Sequence, residues 1–238
     1  MKFTVITVCY NSEKTIRRTF ESVLNQSFTD FEYIVVDGDS KDKTVDIIKE
    51  YVPKFSGRMR YVSEPDKGIY DAMNKGIRLA QGDIIGIVNS DDWLEKEALA
   101  RVAEKASDDY DFYYGMVRNV SEDGKEIDVI RRSHNYIKSC GLHHPGCFIT
   151  KAAYEKFGVY TLDYKVSSDY ELMMRFARSN VRFCPVDAIL SNFTIGGISS
   201  RTPAYEIYAI RRQYNVTSRI GYIAEVAVEF FLKKILKR

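Results

Sequence analysis

The sequence predicts an α/β fold with a doubly wound, mostly parallel sheet, a less regular second half and a helical C-terminal tail. Two observations carry this prediction. Apolar runs of strand length alternate with helical patterns through the first half, and the connections between them are short. Residues 84–88 are apolar without polar alternation, which is typical of a central strand covered on both faces.

Four strand–helix units are expected in the first half. The strands are predicted at residues 2–9, 31–36, 58–63 and 83–88. Helical spacing relates Ile16, Phe20 and Val23, then Val45, Ile48 and Tyr51, then Ile69, Met73 and Ile77. Asn11 or Ser12 can cap the first helix, and Pro53 and Gly82 are expected to end the second and third.

The second half is less regular. Residues 111–120 and 125–131 flank a Glu-Asp-Gly turn and predict a hairpin. The polar stretch 134–146 predicts a long functional loop. Further elements are expected as a helix at 152–157, a helix capped by Ser167 or Ser168, an extended segment at 181–190, and the helical tail.

Composition allows one large domain and excludes some functions. The chain has 238 residues, 45% of them hydrophobic, and its net charge of +2 argues against a nucleic-acid binder. The N-terminus turns polar too early for a signal peptide, and no apolar stretch is long enough to span a membrane. We therefore expect a cytoplasmic protein with reduced cysteines. Residues 1–200 are expected to form one domain, divided near residue 94, with 201–238 as the tail.

Cys140, His143, His144 and Cys147 form a compact C-x2-H-H-x2-C pattern that suggests zinc at first sight. Common zinc frameworks use two separated ligand pairs, and one compact cluster strains tetrahedral closure. We favour reduced, partly buried cysteines around a functional loop.

Acidic residues follow three predicted strands. The pairs are Asp37 and Asp39, Glu64 and Asp66, and Asp91 and Asp92. Ligands of open α/β sheets bind beyond the carboxyl ends of the strands. Adjacent carboxylates repel each other unless a cation or proton intervenes, and hard oxygen ligands suit Mg²⁺ or Mn²⁺, especially an ion shared with a diphosphate. The alternative is that these acids form turns, and that the last pair caps a helix near Glu95.

Other residues fit a nucleotide site. An aspartate can accept a hydrogen bond from the imide of uracil, and Tyr10 can stack on a base. Asp169 is predicted at a helix start, on the same face as Leu172 and Phe176, so it should point toward the core or a cleft. A helix N-terminus keeps a carboxylate ionised, and apolar neighbours raise the pKa of a carboxyl group toward the range of a general base. The alternative for Asp169 is helix electrostatics alone.

An ordered set of motifs resembles a family-two glycosyltransferase with the GT-A fold. The matching segments are VITVCYN, SVLNQSFTDFEYIVVDGDSKDKT, SEPDKGIYDAMNKGIRLAQGDIIGIVNSDDW, HHPGCFITKAAYEKFG, VSSDYELMMRF and GGIS, which together span residues 3–199. Each segment is a weak signal alone, but their order is specific. The resemblance implies that the nucleotide lies over the first strands, at Tyr10, Asp37 and Asp39. It also implies that Asp91 and Asp92 form the DxD-type metal site.

The resemblance assigns the general base to an acid in the second half, and Asp169 matches best. Two departures leave details open. Many members carry an arginine near the diphosphate where this chain has Met73, so Lys67 or another basic residue can replace it. The sequence Asp-Gly-Asp at 37–39 replaces two adjacent aspartates, so the acid that contacts the base is open, and Asp66 is a further candidate.

Residues and resemblance together predict an inverting, metal-dependent transfer of a sugar from a nucleotide diphosphate sugar, expected to be UDP-linked. The acceptor is expected to be a hydroxyl of a glycan or lipid-linked saccharide in surface polysaccharide synthesis. Mg²⁺ or Mn²⁺ would lie on Asp92, helped by Asp91, and His143 and His144 would line the acceptor side. A non-catalytic nucleotide-sugar binding module and a nucleotidyltransferase are the alternatives.

Two further segments are assigned roles. Residues 196–200 are expected to close over the diphosphate as a lid. Residues 220–238 form an amphipathic pattern with basic residues at its end, which suits a peripheral membrane contact. The alternative is a helix docked on the catalytic domain or on a partner subunit.

Overall fold

The computed structural model describes residues 2–196 and 204–216. The strands of this part are β1 (Phe3–Cys9), β2 (Phe31–Asp37), β3 (Met59–Ser63), β4 (Ile84–Ile87), β5 (Trp93–Leu94), β6 (Phe112–Val120), β7 (Glu126–Ile130), β8 (Cys147–Thr150) and β9 (Phe183–Thr194). The α-helices are α1 (Ile16–Leu24), α2 (Thr44–Tyr51), α3 (Ile69–Leu79), α4 (Ala98–Ala103), α5 (Ile137–Cys140), α6 (Lys151–Phe157), α7 (Ser168–Ala177) and α8 (Ala204–Gln213). Short 3₁₀ turns cover Val52–Phe55, His134–Tyr136 and His144–Gly146.

These strands form one sheet in the order β3-β2-β1-β4-β8-β6-β9-β5, with β7 paired to β6. The strands β3, β2, β1 and β4 are all parallel, as predicted for the first half. β8 then runs antiparallel to β4, and the second half mixes both directions, with β6 and β9 parallel. β4 thus lies in the middle of the sheet, and the acids that follow it leave the sheet at its centre.

Helices cover both faces of the parallel half. Every residue of β1, β2 and β4 is buried, which explains why their sequences lack polar alternation. One face packs against α3 and α7 through residues such as Ile6 and Met73, and the other packs against α1 and α2 through residues such as Phe20 and Ile48. The predicted helix faces are therefore the observed core contacts except at Val45, which is only partly buried, whereas Ile48 and Tyr51 of the same helix lie in the core.

Several local expectations are wrong. α1 begins at Ile16 after Thr15, and neither Asn11 nor Ser12 caps it with a side chain. No helix begins near Glu95, because the residues after the acid pair form β5, which pairs with β9, and α4 begins only at Ala98. The stretch 134–146 is a series of short helical turns. Ser167 precedes α7 but makes no capping hydrogen bond through its side chain.

Two predicted segments extend beyond the described part of the chain. The lid prediction concerns 196–200, of which only Gly196 is described, and the membrane prediction for 220–238 lies wholly outside it. The described part of the tail, α8, packs against α7, where Tyr214 just after it donates a hydrogen bond to Glu171. Among the described residues, none of the helices is both long enough and apolar enough to span a bilayer.

The centre of the sheet depends on a glycine in β4. Gly86 lies opposite Phe148 of β8, and a Cβ at position 86 would overlap the Phe148 ring. Phe148 is itself buried and packs edge-on against Phe3. Only a residue without a side chain therefore fits at position 86.

We predict that Gly86→Ala lowers the free energy of unfolding by about 1–3 kcal/mol, because the added methyl group overpacks this contact. Urea denaturation would measure the loss. Phe148→Leu removes ring atoms from the contact. Gly86→Ala should therefore lower the free energy of unfolding less in the Phe148→Leu background than in the wild type. Wild-type stability of Gly86→Ala would contradict this account of the sheet centre.

Candidate active site

The loops that follow β1, β2 and β4 meet at the carboxyl edge of the sheet. The Asn11 main-chain amide donates to Ser40 Oγ at 2.8 Å, and Asn11 Oδ1 accepts from the Lys41 amide at 2.8 Å. The hydroxyls of Ser12 and Ser90 lie 2.7 Å apart and join the first loop to the third. The edge is thus a connected surface on which residues from three strands keep fixed relative positions.

Tyr10, Gly38 and Asp66 come together on this surface. The Tyr10 side chain is 61% exposed, so its ring is available for stacking. A Cβ on Gly38 would lie 2.5 Å from Asp66 Oδ2 and 3.5 Å from Tyr10 Cδ2. The glycine therefore lets the carboxylate and the ring approach each other. Asp66 is fixed because its Oδ1 accepts from the Gly68 amide at 2.8 Å.

The two acids that follow β2 have different surroundings. Asp37 is fully buried, and its Oδ2 accepts from the Ser40 amide at 3.0 Å and from Ser63 Oγ at 2.7 Å. Its Oδ1 accepts from Ser40 Oγ. Asp39 has a left-handed backbone and a half-exposed side chain that pairs with Lys41 at 2.6 Å. Asp37 thus anchors the loop, whereas Asp39 is the acid within reach of a ligand.

The acid pair after β4 has more oxygen acceptors than donors. Asp92 is 1% exposed, and its Oδ1 accepts from the Thr194 amide at 2.9 Å. Asp92 Oδ2 and Asn89 Oδ1 are buried and have no hydrogen bond of good geometry to a described residue, although the Asn89 side chain lies close enough to Asp92 to offset part of the rise in its pKa. Asp91 is partly buried beside them. Burial, together with the neighbouring Asp91 charge, raises the pKa of Asp92 well above its ordinary value, and burial also raises the pKa of Asp91.

This donor set fits a divalent cation shared with a ligand. Carboxylate and amide oxygens are the hard ligands that Mg²⁺ and Mn²⁺ prefer, and Mg²⁺ is usually bound through one or two carboxylates plus substrate phosphates. Among the described residues, no three His, Cys, Asp or Glu side chains converge into a complete protein-only metal site. The remaining ligands would thus have to come from Asn89, water and a phosphate group.

The sequence did not indicate the role of Arg18. Its Nη2 donates to the Asp91 carbonyl at 2.8 Å and to Thr194 Oγ1 at 3.1 Å, and its guanidinium lies 3.8 Å over the Trp93 ring. Arg18 thus holds the main chain of the acid turn and places a positive charge beside it. The sequence gave no indication of this role, because Arg18 lies on the partly exposed side of α1, where charged residues are common.

Asp169 lies at the start of α7, as expected. Its Oδ1 accepts from the Tyr70 hydroxyl at 3.0 Å and from the Tyr170 amide at 2.9 Å. His144 and Cys147 are close enough for the Asp169 charge to influence their pKa values. Asp169 therefore lies near the turn that carries His144.

The cluster of Cys140, His143, His144 and Cys147 does not converge on a metal. His144 Nε2 bonds with the Tyr160 hydroxyl at 2.9 Å, and Cys147 Sγ donates to the His143 carbonyl at 3.3 Å. Cys140 is exposed, and each cysteine is free. The pattern in this stretch therefore reflects separate packing contacts.

Two residues in and before α3 also have defined places. Met73 is buried in the core, so it points away from any phosphate, and Lys67 is exposed at the carboxyl edge. Asn74 joins α3 to the segment before α7, since it donates from Nδ2 to the Tyr160 carbonyl at 2.8 Å and accepts from the Tyr160 amide at 3.0 Å.

A parallel half-sheet with an acid pair beyond its central strand, extended by a mixed second half, defines a GT-A glycosyltransferase fold. The family description "Glycosyl transferase family 2" matches residues 4–168. The chain belongs to this family and is a glycosyltransferase.

A named relative supports the assignment. The "PGL/p-HBAD biosynthesis glycosyltransferase" of Mycobacterium bovis is 30% identical over 187 residues, which cover 73% of this chain and 68% of the relative.

Solved structures show the same fold. S. aureus TarS in complex with UDP-GlcNAc superposes with a TM-score of 0.73 at 24% identity, over 91% of this chain and 66% of that one. The mannosyltransferase PcManGT from Pyrobaculum calidifontis, in complex with GDP-Man and Mn²⁺, gives a TM-score of 0.66 at 17% identity, over 95% and 64%. The chain thus spans just under two thirds of the length of each of these structures.

His143 provides a test of the site's electrostatics. Burial, reinforced by the nearby Arg132 charge, lowers the pKa of His143 from 6.5 to about 4. Between these values the unfolded chain binds a proton at this residue and the folded chain does not, so stability falls as the pH falls from about 6.5 to 4.

We predict that the free energy of unfolding of the wild type falls by up to roughly 3 kcal/mol more between pH 7 and pH 4 than that of His143→Gln, because the variant has no histidine to titrate at this position. Chemical denaturation of both proteins across this range measures the difference. If the stability of the two proteins changes with pH in the same way, His143 is not held in its neutral form.

Proposed function

We propose that this glycosyltransferase moves a sugar from a nucleotide diphosphate sugar, UDP-linked, to a hydroxyl of a glycan or lipid-linked saccharide, with inversion and with a divalent metal ion. The observation that carries the proposal is the set of buried oxygen acceptors without donors at the end of β4, formed by Asp92 Oδ2 and Asn89 Oδ1 beside Asp91. Buried acceptors without donors are costly, and a cation together with a diphosphate would offset that cost.

The carboxyl edge would bind the nucleotide. The exposed Tyr10 ring would stack on the base, and Asp39 or Asp66 would accept a hydrogen bond from the imide group of the base. The buried Asp37 would support this surface from below rather than contact the base. Lys67 is exposed beside Asp66 and would approach the diphosphate, since Met73 is buried elsewhere.

The acid pair would hold the metal. Asp91 is the more accessible carboxylate, and Asp92 Oδ2 and Asn89 Oδ1 complete the oxygen surface behind it. When bound, Mg²⁺ or Mn²⁺ would neutralise the charge that develops on the leaving diphosphate. Arg18 would keep the turn in place through its hydrogen bond to the Asp91 carbonyl.

Asp169 would act as the general base. Its Oδ2 would take the proton from the acceptor hydroxyl as that oxygen attacks the anomeric carbon. The bond to the diphosphate oxygen breaks on the opposite face and its electron pair leaves with the nucleotide, so the configuration inverts. His143 and His144 would line the acceptor side, where burial lowers the pKa of each and keeps both neutral at pH 7.

The alternative of a nucleotidyltransferase is disfavoured, because the family match over residues 4–168 covers the resembling segments of the first half and the segment HHPGCFITKAAYEKFG of the second half. A non-catalytic nucleotide-sugar binder would not need a general base, which is the role proposed for Asp169. A screen of nucleotide sugars with Mn²⁺ for release of nucleoside diphosphate tests the activity and identifies the donor. Binding of a donor without release from any would favour the binder.

We predict that Asp91→Asn and Asp92→Asn each weaken nucleotide binding in Mn²⁺ but not in EDTA, and lower kcat by about 10²–10⁴. Because burial raises the pKa of both acids, Mn²⁺ affinity of the wild type should increase with pH. Calorimetric titration and turnover assays measure these effects. Asp123→Asn, in the exposed turn between β6 and β7, is the control, and full activity in EDTA would refute the metal assignment.

We predict that Asp169→Asn lowers kcat by about 10²–10⁴ and leaves the affinities for nucleotide and metal unchanged, because the amide keeps the shape but cannot accept the proton. Steady-state assays and nucleotide titration separate the two effects. The control is Asp163→Asn, an exposed residue of the same segment. If instead nucleotide affinity collapses and turnover per bound donor is normal, Asp169 is a structural residue.

A further inference from the structure

The Asp169 carboxylate is used asymmetrically. Both of its hydrogen bonds, from the Tyr70 hydroxyl and from the Tyr170 amide, end on Oδ1. Oδ2 receives neither of these two hydrogen bonds. One oxygen is therefore fixed and the other is left for a ligand, which is the division that a directed proton acceptor requires.

Tyr70 is itself held rigidly. It is 7% exposed, and its ring packs 5.4 Å from the ring of Tyr160. Its hydroxyl also lies 2.7 Å from the Val166 carbonyl, so its proton is shared between that carbonyl and Asp169. Burial and the Asp169 charge raise the pKa of Tyr70 well above its ordinary value, so it stays a donor at neutral pH.

The segment before α7 is fixed from the other side by α8. Glu206 is 3% exposed, and its two oxygens accept from the Lys165 amide at 2.9 Å and from the Val166 amide at 3.1 Å. A buried carboxylate is stable only when it is paired or hydrogen-bonded, so this contact is a defined anchor. Val166 is thus held through its amide by Glu206 and through its carbonyl by Tyr70.

We propose that Tyr70 is a positioning residue that holds the Asp169 carboxylate with Oδ2 toward the acceptor, and that Glu206 supports this arrangement through Val166. The inference rests on the proposed role of Asp169 as the base. Tyr70 follows Gly68 in the segment that carries Asp66 and Lys67. The Tyr70 hydroxyl therefore links the segment proposed to bind the sugar donor directly to Asp169, the proposed base.

Several titratable groups surround Asp169. They are Tyr70 and Tyr160, with Glu206 behind Tyr70, and His144 and Cys147 at the start of β8. Burial raises the pKa of both tyrosines and of Cys147, and it lowers the pKa of His144. The tyrosines, Cys147 and His144 are thus neutral around pH 7.

The test is Tyr70→Phe, which removes only the hydroxyl. We expect kcat to fall about tenfold, because a hydrogen bond to a charged group is lost, and the KM for the donor to stay near the wild-type value. The acid limb of the kcat–pH profile should move to higher pH, because that hydrogen bond favours the ionised carboxylate. The same substitution made in the Asp169→Asn background should have no further effect on residual turnover.

The control is Tyr113→Phe, because Tyr113 is equally buried and its hydroxyl bonds to the Ser107 carbonyl, away from Asp169. This variant should lose stability but keep the wild-type pH profile. If the Tyr70→Phe protein does not fold, Glu206→Gln is tested instead. A glutamine has only one side-chain oxygen, so it cannot accept hydrogen bonds in the same way from both the Lys165 and the Val166 amides, and Val166 is held less firmly. A smaller shift of the acid limb in the same direction is then expected.

The outcomes separate this inference from the proposed function. If Asp169→Asn keeps normal turnover, the general-base assignment is wrong and the role of Tyr70 is overturned with it. If Asp169→Asn is inactive but Tyr70→Phe keeps the wild-type kcat and acid limb, only the positioning role is overturned. A lower kcat without any shift of the acid limb would also overturn it, because that result is expected of a structural tyrosine.

Discussion

The turn at the carboxyl end of β4 is held by its main-chain carbonyls, and the site depends on this constraint. Arg18 and the Thr194 hydroxyl donate to the Asp91 carbonyl, and the Thr19 hydroxyl donates to the Asp92 carbonyl at 2.6 Å. Because the backbone is secured in this way, the Asp91 carboxylate and Asp92 Oδ2 are not needed as structural acceptors. The fold thereby keeps oxygen atoms partly desolvated and unpaired where a cation would be most strongly attracted.

Two of the hydrogen-bonded contacts that join the halves of the chain lie at proposed catalytic groups. At the acid turn, α1 from the first half meets Thr194 from β9. At the base, Tyr70 from α3 meets Asp169 from α7. Asn74 adds a third link, to Tyr160. Precise placement of a base against a leaving group is worth a large part of a catalytic rate, and these links supply it between halves that differ in regularity.

The sequence was most informative where structure follows from local patterns. The apolar runs identified the parallel strands, and the alternation of strand and helix identified the fold class, because a strand covered on both faces needs no polar residues. The acid pair and Asp169 stood out because carboxylates at element ends are readily interpreted. β8 was missed because it is only four residues long and follows a polar stretch, and Pro185 obscured the length of β9. Arg18, Tyr70 and Glu206 were missed since their contacts join distant segments, and no spacing rule reports such pairs.

The Glu206 anchor bears on where the catalytic unit ends. A chain cut ahead of α8 would leave the amides of Lys165 and Val166 without their acceptor and would uncover the site filled by the fully buried Ile210. The described helix α8, up to Gln213, therefore packs as part of the same folded unit as α7. Shortened or fused versions of this enzyme should keep α8, since a helix that looks peripheral in the sequence closes the acceptor half from behind.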